Sequence, residues 1–417
     1  MEKSPLLFLH KNHVITQNTN NNIAVKVVMK KLSCAIVSIL LTMLILVTAN
    51  INSEFVSAEI VEGLSAKSYV VMDNNGKVLM ENNMEERREV ASICKLMTTL
   101  ITLEKIDSGD ISLDDKVIAS EYACGAEGSQ AFLDAGSEYS IRDLLKSVIV
   151  ASANDSAIVL AEFIGGTETD FVTIMNAKAK EIGMNNTLYA NSTGLPAENQ
   201  YSTARDTAII LNEISDYKTY KEDCKIWMDK LVHPSGRETE LVNTNRLIKY
   251  YPNCVTGKTG FTDEAGYCLS STALKNNLKL TCVVLGCDTS ADRFSDSVAL
   301  YNKAYATFKS VKVIDKNVLI ENNIKVTRGK ESHLEIVPEE DYYITLKNGD
   351  SYNYQIEYDV NESIQAPVQE GDVVGIINIV LDNEIVGSVN IVANNQIEKQ
   401  NFKDIFNKII DNYSFIK

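Results

Sequence analysis

Two stretches of strand-like pattern, Ser68 to Asn82 and Ala265 to Cys287, lie on either side of a long run of helical periodicity, so a sheet built from both must be closed by pieces distant in sequence. That order limits the fold to a mixed domain in which a helical insertion packs on the sheet. The first stretch, SYVVMDNNGKVLMEN, reads as a hairpin of alternating strands turning at Asn75-Gly76, a two-residue turn signal. Helical pattern then runs from Ser92 to about Ile106 and resumes from Ile141, Asp155 and Asp170, with Ser or Asp caps and glycine stops. AGYCLSSTAL and LKLTCVVLGC restore strand, and SDSVALYNKAYATF adds a helix ending at Phe308.

The flanks differ from this domain, which spans 59–308. Residues 1–58 contain MKKLSCAIVSILLTMLILVTA from Met29, two lysines before an unbroken apolar run, and Val56-Ser57-Ala58 fits a small-residue cleavage site. We expect a secretory signal, with an uncleaved membrane anchor as the alternative that the apolar length also permits. Met29 opens a complete signal by itself. From 309 to 396, β-branched and aromatic residues alternate or cluster between Gly, Asn and Asp turns, the texture of a small all-β domain with a supporting role. In the last segment, 397–417, Phe402, Ile405, Phe406, Ile409, Ile410, Tyr413 and Ile416 recur at helical spacing and make one apolar face. Its lysines 399, 403, 408 and 417 outnumber Glu398, Asp404 and Asp411, as suits a helix lying on an anionic membrane surface. Packing of that face on the β domain is the competing expectation.

Charge and composition exclude other classes. A formal charge of -16 leaves no basic face for phosphate, so nucleic acid is not expected as a partner. Of eight cysteines Cys34 falls in the signal, and the remaining seven cannot all pair and show no CxxC spacing, which favours buried free thiols. Only four histidines occur, His10 and His13 before the signal, then His233 and His333, so neither a metal site nor a cofactor is expected.

The chemistry sits in three short motifs. ASICKLMTTL puts Ser92 and Lys95 at i and i+3, on one helix face, with a lysine inside an apolar surface. Burial lowers a lysine's pKa, and a neutral amine can take the proton of a serine that attacks as nucleophile. ASANDS places Ser152 and Asn154 in a break between two helices, and GKTGFT places Lys258, Thr259 and Gly260 in a strand. Ser152 can relay a proton, Asn154 can hold an amide, and Lys258 adds positive charge. Thr259 and Gly260 lie on a strand edge that can pair with an extended acyl substrate. A Ser-His-Asp triad competes as a mechanism, but only His233 and His333 follow the signal, and no serine sits in a GxSxG elbow.

Ser-x-x-Lys, Ser-x-Asn and Lys-Thr-Gly in this order resemble the set of penicillin-binding proteins and class A β-lactamases. With GSQAFLDAGSEYSIRDLLKSVIVASANDSAIVLAE, NSTGL, YSTARD, ELVNTNRL and VTGKTGFTDEAGYCL, the chain from about Ala58 to Ala393 resembles the low-molecular-weight penicillin-binding proteins that act as serine-type D-alanyl-D-alanine carboxypeptidases. The resemblance implies an α/β fold, a helical subdomain on a five-stranded antiparallel sheet, followed by a C-terminal all-β domain. It implies cleavage of peptidoglycan stem peptides through an acyl-enzyme on Ser92, and acylation of that serine by β-lactams. It also implies an oxyanion hole from the backbone N–H groups of Ser92 and Phe261, and binding of the terminal carboxylate by Arg293. Cys94 stands where the family often has threonine or serine, which raises the question of thiol sensitivity. A class A-like β-lactamase would need a glutamate for deacylating water; ETELVN resembles such a loop but lies too near Lys258. A non-catalytic β-lactam sensor or wall-binding protein is the alternative from another class.

Overall fold

The computed structural model describes residues 61–320, 324–350 and 352–414. The leader expected over 1–58 lies outside the described residues, as do the last three positions of the tail. The strands β1 (Ser68–Asp73), β2 (Val78–Asn82), β3 (Cys254–Thr262), β4 (Gly266–Lys275) and β5 (Leu278–Cys287) form one antiparallel sheet in the order β2-β1-β5-β4-β3. Strands from the two ends of the domain thus meet at β1 and β5, and β3, which carries Lys258 to Phe261, is an outer strand.

Both faces of the sheet are covered, which corrects the expectation of simple alternation in the first hairpin. Every residue of β1 is buried. Val70 faces Val283 in the core under the helices, while Tyr69 faces Val284 and Val71 faces Cys282 in a second core on the opposite side. A strand buried on both sides needs a continuous apolar run rather than a polar outer face. The hairpin turn also differs from the two-residue expectation. Asp73 N–H reaches Lys77 O at 3.0 Å and Gly76 N–H reaches Asp73 O at 3.2 Å, which leaves a three-residue loop. Of these residues only Gly76 takes positive φ, and the Asp73 carboxylate accepts the N–H groups of Asn75 and Lys77. A two-residue type I′ turn would need positive φ at both centres.

On one face lie α1 (Lys95–Asp107), α2 (Ile141–Val150), α3 (Asn154–Gly165), α4 (Glu168–Glu181) and α5 (Ala204–Ile214). Side-chain oxygens of Ser140, Thr167 and Thr203 cap α2, α4 and α5. A 3-10 turn, Ala91–Cys94, leads into α1, so Ser92 stands just before the regular helix. The other face is covered by α6 (Asp292–Thr307) through Leu300, Tyr301 and Ala304.

The strand Phe308–Ile314 follows α6 without a linker and opens the β domain. Its largest sheet has four antiparallel strands around Ile336, Ile377, Ile379 and Ile391. Asn348 N–H donates to Thr307 O at 2.8 Å, and Asn75 Nδ2 donates to Tyr343 O at 2.9 Å, so the β1–β2 hairpin and α6 both grip this domain. The last helix, α7 (Phe402–Ser414), leaves Phe402, Ile405 and Phe406 exposed rather than buried against the β domain.

Candidate active site

The site forms where the Ala91–Cys94 turn, the break between α2 and α3, and the outer strand β3 converge. Ser92 is held in that turn by a close approach from two sides. A Cβ on Gly260 would stand 2.3 Å from Val90 O, and one on Gly194 would stand 1.9 Å from Ala91 O, so only glycine fits at either place. Ala91 itself sits at φ +49°.

Lys95 Nζ lies 2.9 Å from Ser92 Oγ and donates to Thr193 O at 2.6 Å. The side chain is fully buried, and that burial pulls its pKa from 10.5 to about 7, against the opposing pull of Cys94 and Asp155. On the other side, Lys258 Nζ donates to Ser152 Oγ at 2.7 Å and to Thr259 O at 3.0 Å. Burial, with the positive charges of Lys95 and Arg293, holds Lys258 well below its ordinary value. Ser152 occupies φ +62°, in the break before α3. Asn154 Nδ2 donates to Glu127 O at 2.5 Å, while its buried Oδ1 has no protein partner.

Thr259 Oγ1 donates to Thr244 Oγ1 at 2.7 Å. Gly260 gives its carbonyl to Arg293 Nη1 at 3.0 Å, and the Arg293 guanidinium lies 5.3 Å from the centre of the Tyr267 ring. Phe261 stacks on the same Tyr267 with ring centres 4.2 Å apart and keeps its outer side in solvent. All nine residues singled out in the sequence therefore stand around one junction of turn, helix break and outer strand. Sequence reasoning missed the groups that hold them: the Thr193 carbonyl, the Asn191 side chain behind it, Gly194, Thr244 and the Glu127 carbonyl. NSTGL carried a usable signal, an Asn followed three residues later by Gly, as a side-chain-stabilised turn requires.

The groups that belong to competing readings stand elsewhere. His233 engages Tyr139 OH and Thr239 Oγ1 at 2.8 Å each, using both ring nitrogens. Glu240 is exposed on the strand Glu238–Val242. Cys94 is buried with its thiol pushed up to about 12 by burial, and its Sγ reaches Asn191 O at 3.3 Å. Among the described residues all seven cysteines are free.

The comparisons with known proteins bear on this geometry. A family model described as D-alanyl-D-alanine carboxypeptidase matches residues 52–289, and one described as penicillin-binding protein 5, C-terminal domain, matches residues 308–399. The chain is 35% identical to the D-alanyl-D-alanine carboxypeptidase DacF of Bacillus subtilis over 84% of its own length and 91% of that protein. It is 31% identical to DacC of Escherichia coli, over 79% and 84%. Among solved structures, penicillin binding protein 5 of Haemophilus influenzae matches with a TM-score of 0.64 at 30% identity, covering 82% of this chain and all (100%) of that one. The Streptococcus pneumoniae PBP3 structure matches with a TM-score of 0.67 at 27% identity, covering 81% and 100%.

Proposed function

The chain belongs to the D-alanyl-D-alanine carboxypeptidases of the low-molecular-weight penicillin-binding proteins, and on that premise we propose that it removes the terminal D-alanine of peptidoglycan stem peptides through an acyl-enzyme on Ser92. The observation that carries the reading is the Ser92–Lys95 pair, an amine 2.9 Å from a hydroxyl, with burial bringing that amine to about 7. A half-neutral amine at neutral pH is a general base matched to its task.

In the proposed path Ser92 Oγ attacks the carbonyl carbon of the penultimate residue and its proton passes to Lys95. The oxyanion is received by the backbone N–H groups of Ser92 and Phe261; the close packing of Gly260 on Val90, each the neighbour or near neighbour of one of them in sequence, supports this assignment. The serine proton passes on from Lys95 through the Ser152 hydroxyl, held by Lys258, to the departing D-alanine amine. Water, giving a proton to Lys95, then attacks the ester, and the proton returns to Ser92 Oγ as the acid leaves. Asn154 offers its unpartnered Oδ1 to the substrate amide. Thr259 and Arg293 bind the terminal carboxylate, which is also where the carboxylate of a β-lactam would lie. Incubation with penicillin followed by intact-mass analysis and peptide mapping tests this path, with release of D-alanine from a D-Ala-D-Ala peptide as the second readout. An adduct on another residue, or none, overturns it. A class A-like β-lactamase would need a carboxylate facing the ester, and Glu240 points to solvent; measured turnover also separates the enzyme from a sensor.

We further propose export through the N-terminal segment and attachment of α7, as an interfacial helix, to the outer face of the cytoplasmic membrane, beside the cell wall. No helix among the described residues is long and apolar enough to cross a membrane. Exposed Phe402, Ile405 and Phe406 support a helix lying in the headgroup region. Ile397 is buried in the β-domain core and pairs with Val368, so the separable tail begins after it rather than at 397. Removal of residues 401–417 should abolish co-sedimentation with anionic vesicles while penicillin binding persists, and unaltered sedimentation refutes the attachment.

A further inference from the structure

The reading of Lys95 as base leaves open what aims it. A neutral primary amine has two N–H donors and one lone pair, and it accepts the serine proton only if the lone pair faces Ser92. Besides its contact with Ser92, Lys95 Nζ donates to Thr193 O at 2.6 Å. That carbonyl is held from behind by one side chain. Asn191 Oδ1 accepts from Gly194 N at 2.7 Å, Thr193 Oγ1 at 3.1 Å and Thr193 N at 3.2 Å, while its Nδ2 donates to Leu195 O at 2.9 Å. The same turn is tied to the catalytic helix twice: Thr98 Oγ1 donates to Ser192 O at 2.7 Å, and Cys94 Sγ reaches Asn191 O.

We propose that Asn191 is a positioning residue for acylation: its side-chain amide fixes the Thr193 carbonyl at Lys95 Nζ, so that one N–H is committed there and the lone pair turns to Ser92 Oγ. The inference rests on the proposed role of Lys95 and names the residue that gives it direction. The Asn191 side chain has no hydrogen bond to Ser92 or Lys95 and acts through the Thr193–Gly194 peptide that carries the carbonyl. The ionisable groups facing Lys95 are Cys94 beside it, Asp155 on α3 and Lys258 on β3, and none of them replaces the carbonyl as an acceptor for its N–H.

The test compares wild type, Asn191→Ala and Asn191→Asp by the second-order rate of penicillin acylation across pH, with circular dichroism to establish folding. Asn191→Ala should acylate ten- to a hundredfold more slowly. Asn191→Asp keeps the oxygen that holds Thr193 and Gly194 and should recover most of the rate at alkaline pH. Its added charge should also move the acid limb of the profile upward by about half a unit or more, because a nearby anion makes Lys95 hold its proton. Wild-type rates in Asn191→Ala, or equal loss in both variants with an unmoved acid limb, would overturn the positioning role. If Asn191→Ala does not fold, the limb of Asn191→Asp decides alone. A wild-type protein that forms no Ser92 adduct overturns the base itself, whereas normal wild-type acylation beside an unmoved limb overturns only the role of Asn191.

Discussion

Replacing Lys95 by methionine should destroy acylation and make the protein more stable. The amine is fully buried and its pKa lies at about 7 in the folded chain, against about 10.4 in an unfolded one. A base whose folded value is depressed binds fewer protons in the native state across that interval. Its penalty is complete below about 7, shrinks as pH rises and is gone above the unfolded value, so stability climbs with pH through the window. A gap of roughly 3.5 units corresponds to a penalty on the order of 5 kcal/mol. Methionine fills a similar volume without that penalty, but it leaves Thr193 O without its donor at a cost of about 1–3 kcal/mol. At pH 7, where the amine is already half neutral and the penalty is about 4 kcal/mol, the expected net gain is about 1–3 kcal/mol. Between pH 7 and 9 the advantage over wild type should shrink by about 2 kcal/mol. The burial of Lys258 is common to both proteins and cancels, while loss of the Lys95 charge beside it relieves Lys258 and adds to the variant's gain. Urea unfolding can be followed by the fluorescence of Trp227, the single tryptophan, which lies beside Tyr250 in the catalytic domain. A wild-type minus variant difference that stays constant from pH 7 to 9 would refute a depressed Lys95, and residual acylation by the variant would refute its role as base.

Gly194→Ala should slow acylation by about a hundredfold or more, because its Cβ would stand 1.9 Å from the carbonyl of Ala91, the residue before the nucleophile, and an ångström of displacement there is costly. Gly76→Ala, with similar φ and no atom within 4 Å, is the control and should lose only about 1 kcal/mol of stability; equal acylation rates in the two variants would contradict the steric argument. Arg293→Ala should weaken turnover of free-acid peptides more than of amidated ones, measured as the ratio of their kcat/KM values, and an unchanged ratio would remove Arg293 from carboxylate binding. Iodoacetamide at pH 8 should leave the acylation rate intact, since the Cys94 thiol is buried and held near 12; rapid inactivation with Cys94 labelled would show that the turn opens.

Residue types were legible where the chemistry is carried by side chains. Ser92, Lys95, Ser152, Asn154 and Lys258 stand out because a lysine in an apolar helix and a lysine in a strand are costly unless used. What the sequence hid is the set of groups that act through the backbone. Nothing in the letter Thr193 says that its carbonyl meets Lys95 Nζ, since every residue has a carbonyl and only the fold decides where it points. Gly194 and Gly260 read as a turn glycine and a motif glycine, yet each is also fitted against the nucleophile turn from a different segment. In the fold, the order strand, helices, strand announced a sheet closed by distant pieces. The burial of β1 on both faces depended on α6, more than 200 positions later in the numbering, and alternation rules applied to the hairpin alone could not see it.

The same contacts explain how strain is concentrated at the nucleophile. Ala91 and Ser152 both hold positive φ, a conformation that costs a non-glycine residue about 1 kcal/mol or more. Neither would persist in a loop free to relax. Ala91 is wedged by Gly194 on one side and approached by Gly260 on the other, so relaxing its backbone would push the preceding and following carbonyls into neighbouring chain. Ser152 is pinned through its hydroxyl to Lys258, whose own ammonium is fixed on the Thr259 carbonyl. The surrounding core makes these departures affordable by over-determining them: Val90, Ile93, Leu96 and Met97 are all buried in the core under the helices. Helix, break and outer strand are thus held at fixed distances before any substrate arrives. Proton transfer between Ser92 and Lys95, and from Ser152 to a leaving amine, then needs little rearrangement of the protein, which is how a preorganised site lowers a barrier.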